Sequence, residues 1–206
     1  MIEVWGRDNS VNVQKVLWCC AELDLAYRLI KAGGPFGRTD EPEYRALNPT
    51  GLIPTLVDDG VVHWESNAIV RYLARRYGAG TLWPDDPQNH ARAESWMEWQ
   101  TAVWLRLRPA FIGLIRTPEA ERDSARIKSS VEATAGNMQL LESHLAKHDY
   151  IAGTAFSMGD IPIGATVSRW LKLDISRPPT PALTAWQQRL AQRRPFTDVV
   201  SSIPLS

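Results

Sequence analysis

The stretch NPTGLIPTLVDDGVVHWESNAIVRYL, residues 48–73, constrains the fold more than any other part of the chain. It runs from loop through proline turn, strand, tight turn and second strand into the start of a helix. Pro54 has no amide proton to give a sheet, so it stands just before the strand residues Thr55, Leu56 and Val57, a setting in which an X-Pro bond is often cis. Asp59-Gly60, between two apolar runs, is a two-residue hairpin signal. Glu65 and Ser66 sit where the second strand gives way to helical spacing in Ala68, Ile69, Tyr72 and Leu73. A carboxylate and a hydroxyl at a helix N-terminus, beside a proline that leaves the preceding backbone exposed, can receive a peptide-like ligand.

The flanking sequence supplies the rest of a small sheet. Ile2 to Trp5 is a short β-type run ended by Gly6 and a polar loop. Val13, Val16, Leu17, Cys20, Ala21 and Leu25 then recur at three and four, which predicts an amphipathic helix with Ser10 or Asn12 as its N-cap. Tyr27 to Ile30 reads as a second strand. KAGGPFGRTDEPEY reads as a loop with one irregular helical turn. The order β-α-β, loop, β-β-α over residues 1–77 is that of an α/β thioredoxin-like domain: the parallel pair needs its crossover helix, and the hairpin extends the sheet antiparallel.

Residues 78–87, GAGTLWPDDP, form a linker by composition. Beyond it strand signals nearly vanish, and residues 88–206 read as an all-α domain. Helices are expected from His90 to Leu114, Glu119 to Leu145, Ser157 to Leu171 and Leu183 to Arg193.

Lysine plus arginine balances aspartate plus glutamate at 23 each, so no global charge draws the protein toward nucleic acid. No apolar run approaches the ~20 residues a membrane span needs, and the N-terminus lacks the basic and apolar regions of a signal peptide. Cys19 and Cys20 are adjacent, a poor geometry for a disulfide, which fits a reducing, cytoplasmic compartment. The histidines show no metal-ligand spacing, so no metal is expected.

Three places can carry chemistry. Ser10 ends a loop and precedes a helix whose first amides favour an anion in front of them; a thiol held there is stabilised as thiolate. From position alone, capping the helix is the first reading of Ser10, and Asn12 is its rival as a donor. Ile53, ahead of Pro54, offers its amide and carbonyl to an extended ligand. Glu65 suits an α-amino group, and Ser66 with the helix end suits an α-carboxylate, although both residues also fit a simple cap.

Taken together these motifs resemble a cytosolic glutathione transferase, most like the theta-type and related bacterial branches. NSVNVQKVLWCCAELDLAY is similar to the family's first strand-to-helix region, NPTGLIPTL to its cis-proline loop, and ESNAIVRYLARRYG to its γ-glutamyl-binding turn and helix. DPQNHARAESWMEWQ resembles the entry to the helical domain and FSMGDIPIGA its buried capping motif.

The resemblance implies glutathione as co-substrate, with Ser10 or Asn12 activating the thiol, Ile53 and Pro54 receiving the cysteinyl part, and Glu65 and Ser66 the γ-glutamyl end. It implies conjugation to a hydrophobic electrophile in detoxification, and a homodimer. Arg38 and Thr39 are candidates for the glycyl carboxylate. Trp99, Trp104, Phe111 and Ile115 are candidates for an apolar acceptor wall. Ser157 and Asp160 read as a structural cap. Glutathione-dependent disulfide or peroxide reduction without a protein cysteine, or a low-turnover binding protein, are the alternatives.

Overall fold

A computed structural model describes residues 1–206. The apolar strand β1 (Ile2–Gly6) takes an interior place in the four-stranded sheet, whose order is β2-β1-β3-β4. On one side it pairs parallel with β2 (Tyr27–Lys31), Ile2 opposite Tyr27. On the other it pairs antiparallel with β3 (Thr55–Asp58), Val4 opposite Leu56. β3 turns into β4 (Val61–Trp64) through Asp59 and Gly60, whose φ angles of 50° and 78° are both left-handed, as the tightest hairpin turn requires.

The crossover between β1 and β2 is helix α1 (Val11–Glu22). It ends before Leu25, because the chain leaves helical backbone at Asp24, where φ is 51°. From Val13 to Cys20 every residue of α1 is buried, polar Gln14 and Lys15 included. A helix buried on all sides has the sheet on one face and something else on the other. Here that something is the helical domain: the Trp18 ring lies 4.9 Å from Phe196 and 5.8 Å from Phe156.

The glycine-rich segment after β2 holds more structure than one irregular turn. It has a 3-10 turn at Gly34–Phe36 and a six-residue helix, α2 (Pro42–Leu47). Proline at the first helical position starts α2, and Tyr44 anchors it from a fully buried position. The Tyr44 hydroxyl donates to the Leu52 carbonyl at 2.6 Å and meets Thr55 Oγ1 at 2.9 Å. Asn48 donates to the same two oxygens at 2.9 and 3.0 Å and accepts from the Thr50 amide. This network fixes the loop that delivers Ile53-Pro54, which is cis.

After α3 (Ser66–Tyr77) every regular element is helical. α4 (Pro87–Ile115) starts ahead of His90, because Asp86 accepts the Asn89 amide at 2.8 Å and Pro87 suits a first turn. The segment expected to begin a helix at Glu119 makes only a 3-10 turn, and α5 (Ser124–Leu145) begins where Asp123 caps the Arg126 amide at 2.9 Å. α6 (Asp160–Lys172) starts at Asp160 instead of Ser157. α7 (Pro181–Ala191) is followed by the short α8 (Arg194–Phe196) and a wide turn, Thr197–Ser201.

The Asp160 carboxylate accepts the amides of Ile151 and Ser157 at 3.0 and 2.9 Å and the Trp186 indole N–H at 2.9 Å. It therefore ties the loop before α6 to α7, with no solvent exposure. Burial lifts its pKa to about 6, against those hydrogen bonds.

Pro109 lies inside α4. There the Ser130 hydroxyl of α5 takes the Ala110 amide proton at 3.0 Å and donates to the Arg106 carbonyl. A side chain inserted into the hydrogen-bond ladder lets the helix run on past the proline.

Candidate functional site

A cleft of about 430 Å³ opens between the sheet domain and helices α4 and α6, and Ser10, Asn12, Ile53, Pro54, Glu65 and Ser66 all line it. Residues far apart in sequence meet there because the first loop, the cis-proline loop and the start of α3 lie along one side of the sheet domain.

Ser10 occupies the N-cap position of α1 with extended backbone, yet its hydroxyl makes no capping bond; its carbonyl takes the Gln14 amide at 2.8 Å. The helix thus uses the backbone of Ser10 and leaves the hydroxyl free in the cleft. Asn12, one residue into α1, also faces the cleft. No tyrosine or cysteine lines it. Cys19 and Cys20 are free and buried; burial pushes Cys20 up to about 12 and Cys19 well above the usual thiol range, so neither is a thiolate.

Neither the amide nor the carbonyl of Ile53 is hydrogen-bonded within the chain, so both remain open to an added strand. Glu65 precedes α3 with φ 67° and ψ 110°, a region that costs a non-glycine residue on the order of 1–3 kcal/mol. No side chain caps α3, so its first-turn amides are also available.

Beneath Ser66 lies a polar network that the pattern of the sequence did not bring out. Lys15 Nζ donates to Gln100 Oε1 at 2.9 Å, to Asn67 Oδ1 at 3.2 Å and to Ser66 Oγ at 3.4 Å. Gln100 passes the chain of bonds to Thr166 at 2.7 Å, and Asn67 donates to the Met97 carbonyl at 2.8 Å. The network joins α1, α3, α4 and α6 across the domain boundary. Burial, with repulsion from Arg169, lowers Lys15 to about 7. The one available signal was a lysine followed directly by the apolar run Val16 to Ala21 of α1.

Arg38 and Thr39 do not line the cleft. Arg38 is drawn away by Glu41 and Glu43, and its guanidinium lies 4.6 Å from the Trp5 ring centroid. Of the four acceptor-wall candidates, Trp104 and Phe111 face the cleft, their rings 5.7 Å apart. Trp99 and Ile115 do not line it; Trp99 packs edge-on against Trp96 at 4.8 Å and Ile115 against the core. Helical geometry explains Trp99, which lies on a different face of α4 from Trp104 and Phe111; Ile115 shares their face but sits at the last residue of the helix, beyond the cleft. Arg108, one turn on from Trp104, and Arg116, at the C-terminal end of α4, join Arg7 and Arg169 at the cleft.

The chain is similar to known proteins along its whole length. Residues 9–76 match the model of the glutathione S-transferase N-terminal domain and residues 100–194 that of the C-terminal domain. The chain is 42% identical over 209 residues to glutathione S-transferase GstB of Escherichia coli, with both chains covered in full. It is 30% identical to glutathione S-transferase 3 of Zea mays, covering 99% of this chain and 95% of that one. The solved theta class glutathione S-transferase of Xanthomonas axonopodis pv. citri with glutathione bound superposes with a TM-score of 0.96 at 45% identity, covering 100% and 99% of the two chains.

Proposed function

This chain belongs to the glutathione S-transferase family, in its theta-like bacterial branch, and on that premise we propose that Ser10 holds the glutathione sulfur as thiolate and presents it to an electrophile in the adjoining part of the cleft. The supporting observation is the Ser10 hydroxyl, which caps nothing and sits at the head of α1. A hydroxyl donor and the amides of a helix N-terminus both favour the charged form of sulfur. The open backbone of Ile53 fits the cysteinyl peptide, with Pro54 setting its direction. Glu65 fits the α-amino group, and Ser66 with the start of α3 fits the α-carboxylate. Catalysis then rests on thiolate stabilisation and on proximity of the second substrate.

Asn12 is the competing donor. Single Ser10→Ala and Asn12→Ala variants separate the two when the pKa of bound glutathione is followed through thiolate absorbance. A large rise in Ser10→Ala with little change in Asn12→Ala is expected, and the reverse pattern moves the role to Asn12. Assays against a chlorinated aromatic and a mixed disulfide distinguish conjugation from reduction, and inactivity on both favours a binding protein.

A homodimer is the assembly proposed. Val61 and Trp64 are exposed apolar side chains on β4, the edge strand of the sheet, and Leu105 is exposed on α4. Cytoplasmic location is proposed on the two unpaired thiols. No helix is long and apolar enough to cross a membrane.

A further inference from the structure

Within the cleft the charge is lopsided. Arg7, Arg108, Arg116 and Arg169 line it together with Lys15, against a single carboxylate, Glu65. None of the four arginines pairs with an Asp or Glu side chain. Arg169 and Arg7 meet neutral partners, whereas Arg116 meets a main-chain oxygen of the last residue, Ser206, where the terminal carboxylate lies. Arg169 donates to Gln14 Oε1 at 2.7 Å and to the Asn9 carbonyl at 3.0 Å, Arg7 to Asn9 Oδ1 at 2.6 Å, and Arg116 to Ser206 O at 2.7 Å. Arg7 Nε is buried with no partner at all.

The four guanidiniums also feel one another. Burial lowers Arg169 to about 9, helped by repulsion from Arg116 and Arg7; burial lowers Arg116 as well, helped by Arg7 and Arg108. Guanidiniums held close without a counter-charge are costly unless something anionic joins them.

Their placement relative to the aromatic wall matters. The Arg116 and Arg169 guanidinium carbons lie 5.2 and 5.8 Å from the Phe111 ring centroid, and Phe111 in turn meets Trp104. The bond from Arg169 to Asn9 sets this cationic rim one residue from Ser10. An apolar floor with a cationic rim beside the sulfur site describes an amphipathic acceptor.

Resting on the transferase reading, we propose that the acceptor is an organic anion, an electrophile with an apolar body and a carboxylate or similar acid group, gripped by Arg108 and Arg116 with Arg7 and Arg169 behind them. This differs from the plain hydrophobic electrophile expected from the resemblance. In the reaction the thiol proton is lost to solvent. The sulfur lone pair then forms a C–S bond to the electrophilic carbon, and the leaving group departs with its bonding pair, as chloride from a chloroarene.

The test compares 4-chloro-3,5-dinitrobenzoate with its methyl ester, so that glutathione and the leaving group stay constant while the charge changes. After correction for uncatalysed reactivity, the wild-type enzyme is expected to prefer the acid in kcat/KM by about tenfold or more, the effect of a charge-assisted contact. Added salt is expected to reduce the preference. Arg108→Gln and Arg116→Gln, at exposed positions outside the buried network, are each expected to lower the acid-to-ester ratio severalfold, with Arg→Lys restoring part of it. Calorimetric binding of the two finished glutathione conjugates gives the same comparison without turnover. An enzyme that conjugates neither compound yet binds the acid conjugate more tightly refutes the transferase reading alone. Equal binding of the two conjugates, or a ratio unchanged in both glutamine variants, overturns the anionic-acceptor proposal.

Discussion

Lys15 Nζ donates to Gln100 Oε1 at 2.9 Å, joining the crossover helix of the sheet domain to the first helix of the helical domain. The pair lies at the floor of the cleft, directly behind Ser66. A buried ammonium there serves the fold poorly unless a carboxylate comes to rest in front of it.

The first prediction follows from the protonation of Lys15. Its pKa falls to about 7 in the folded chain from the usual 10.5. Between those values the unfolded chain holds a proton that the folded chain has lost, so stability rises with pH across that window. Urea titrations are expected to show this rise in wild type and a flatter profile in Lys15→Met. A carboxylate bound near Ser66 is expected to re-protonate Lys15, because an opposite charge nearby favours the ammonium. Binding of S-methylglutathione, which has no thiol to ionise, is therefore expected to take up a proton above about pH 7. Calorimetry in two buffers of different ionisation enthalpy measures that uptake, and no uptake means Lys15 does not face the ligand's carboxylate.

Glu65 separates binding from backbone strain. Its φ of 67° is tolerable for glycine and costly for glutamate. Glu65→Gly is expected to raise stability by about 0.5–1 kcal/mol and to weaken glutathione binding roughly tenfold, through loss of a charge-assisted hydrogen bond. Glu65→Ala keeps the strain, so it is expected to weaken binding without the gain. Thermal unfolding alongside glutathione titration checks both; equal stabilities of the glycine and alanine variants count against strain.

Asp160 carries a structural role despite its perturbed acidity. Asp160→Ala leaves two amides and the Trp186 N–H without their acceptor and is expected to cost about 3–5 kcal/mol. The folded-state pKa of about 6 lies above the ordinary 3.8. Between the two values the folded chain binds the extra proton, so the Asp160 contribution favours folding at low pH and declines as pH rises through that window. Denaturant titrations of wild type and Asp160→Asn across the same range measure the difference.

Ser130 holds α4 together at Pro109. Ser130→Ala strips the Arg106 carbonyl and the Ala110 amide of their shared hydroxyl and is expected to cost about 1–3 kcal/mol. Hydrogen exchange at Ala110 and Phe111 is expected to accelerate with it. Because Phe111 and Arg116 lie just beyond the proline, acceptor KM is expected to rise more than glutathione KM; equal effects on the two argue that α4 keeps its course unaided.

The local features legible in the sequence were those with local causes. A proline ahead of an apolar run, Asp-Gly between two strands, and the change from strand to helical spacing at Glu65 each state their structure within a few residues. The boundaries that moved did so for reasons of capping: Asp86 and Asp123 start α4 and α5 away from the first apolar residues, and Asp160 spends its carboxylate on the loop before α6 and on α7. α2 was hard to see because its stability rests on one buried Tyr44 bonded to residues further along the chain.

By itself the sequence determined a thioredoxin-like sheet followed by helices, because turn chemistry and periodicity are properties of neighbouring residues; glutathione, and the candidate residues for it, entered through the resemblance to the glutathione transferases. The tertiary structure alone decided that the Ser10 hydroxyl is left uncapped, that Lys15 reaches Ser66 and Gln100, and that Trp104 and Phe111, not Trp99 and Ile115, face the cleft with four guanidiniums that no Asp or Glu side chain neutralises. Those outcomes depend on which stripe of α4 turns toward α1 and on how much water the domain boundary excludes. Both are set by packing between segments far apart in sequence, as Lys15 and Gln100 are at 85 residues, and no local pattern encodes them.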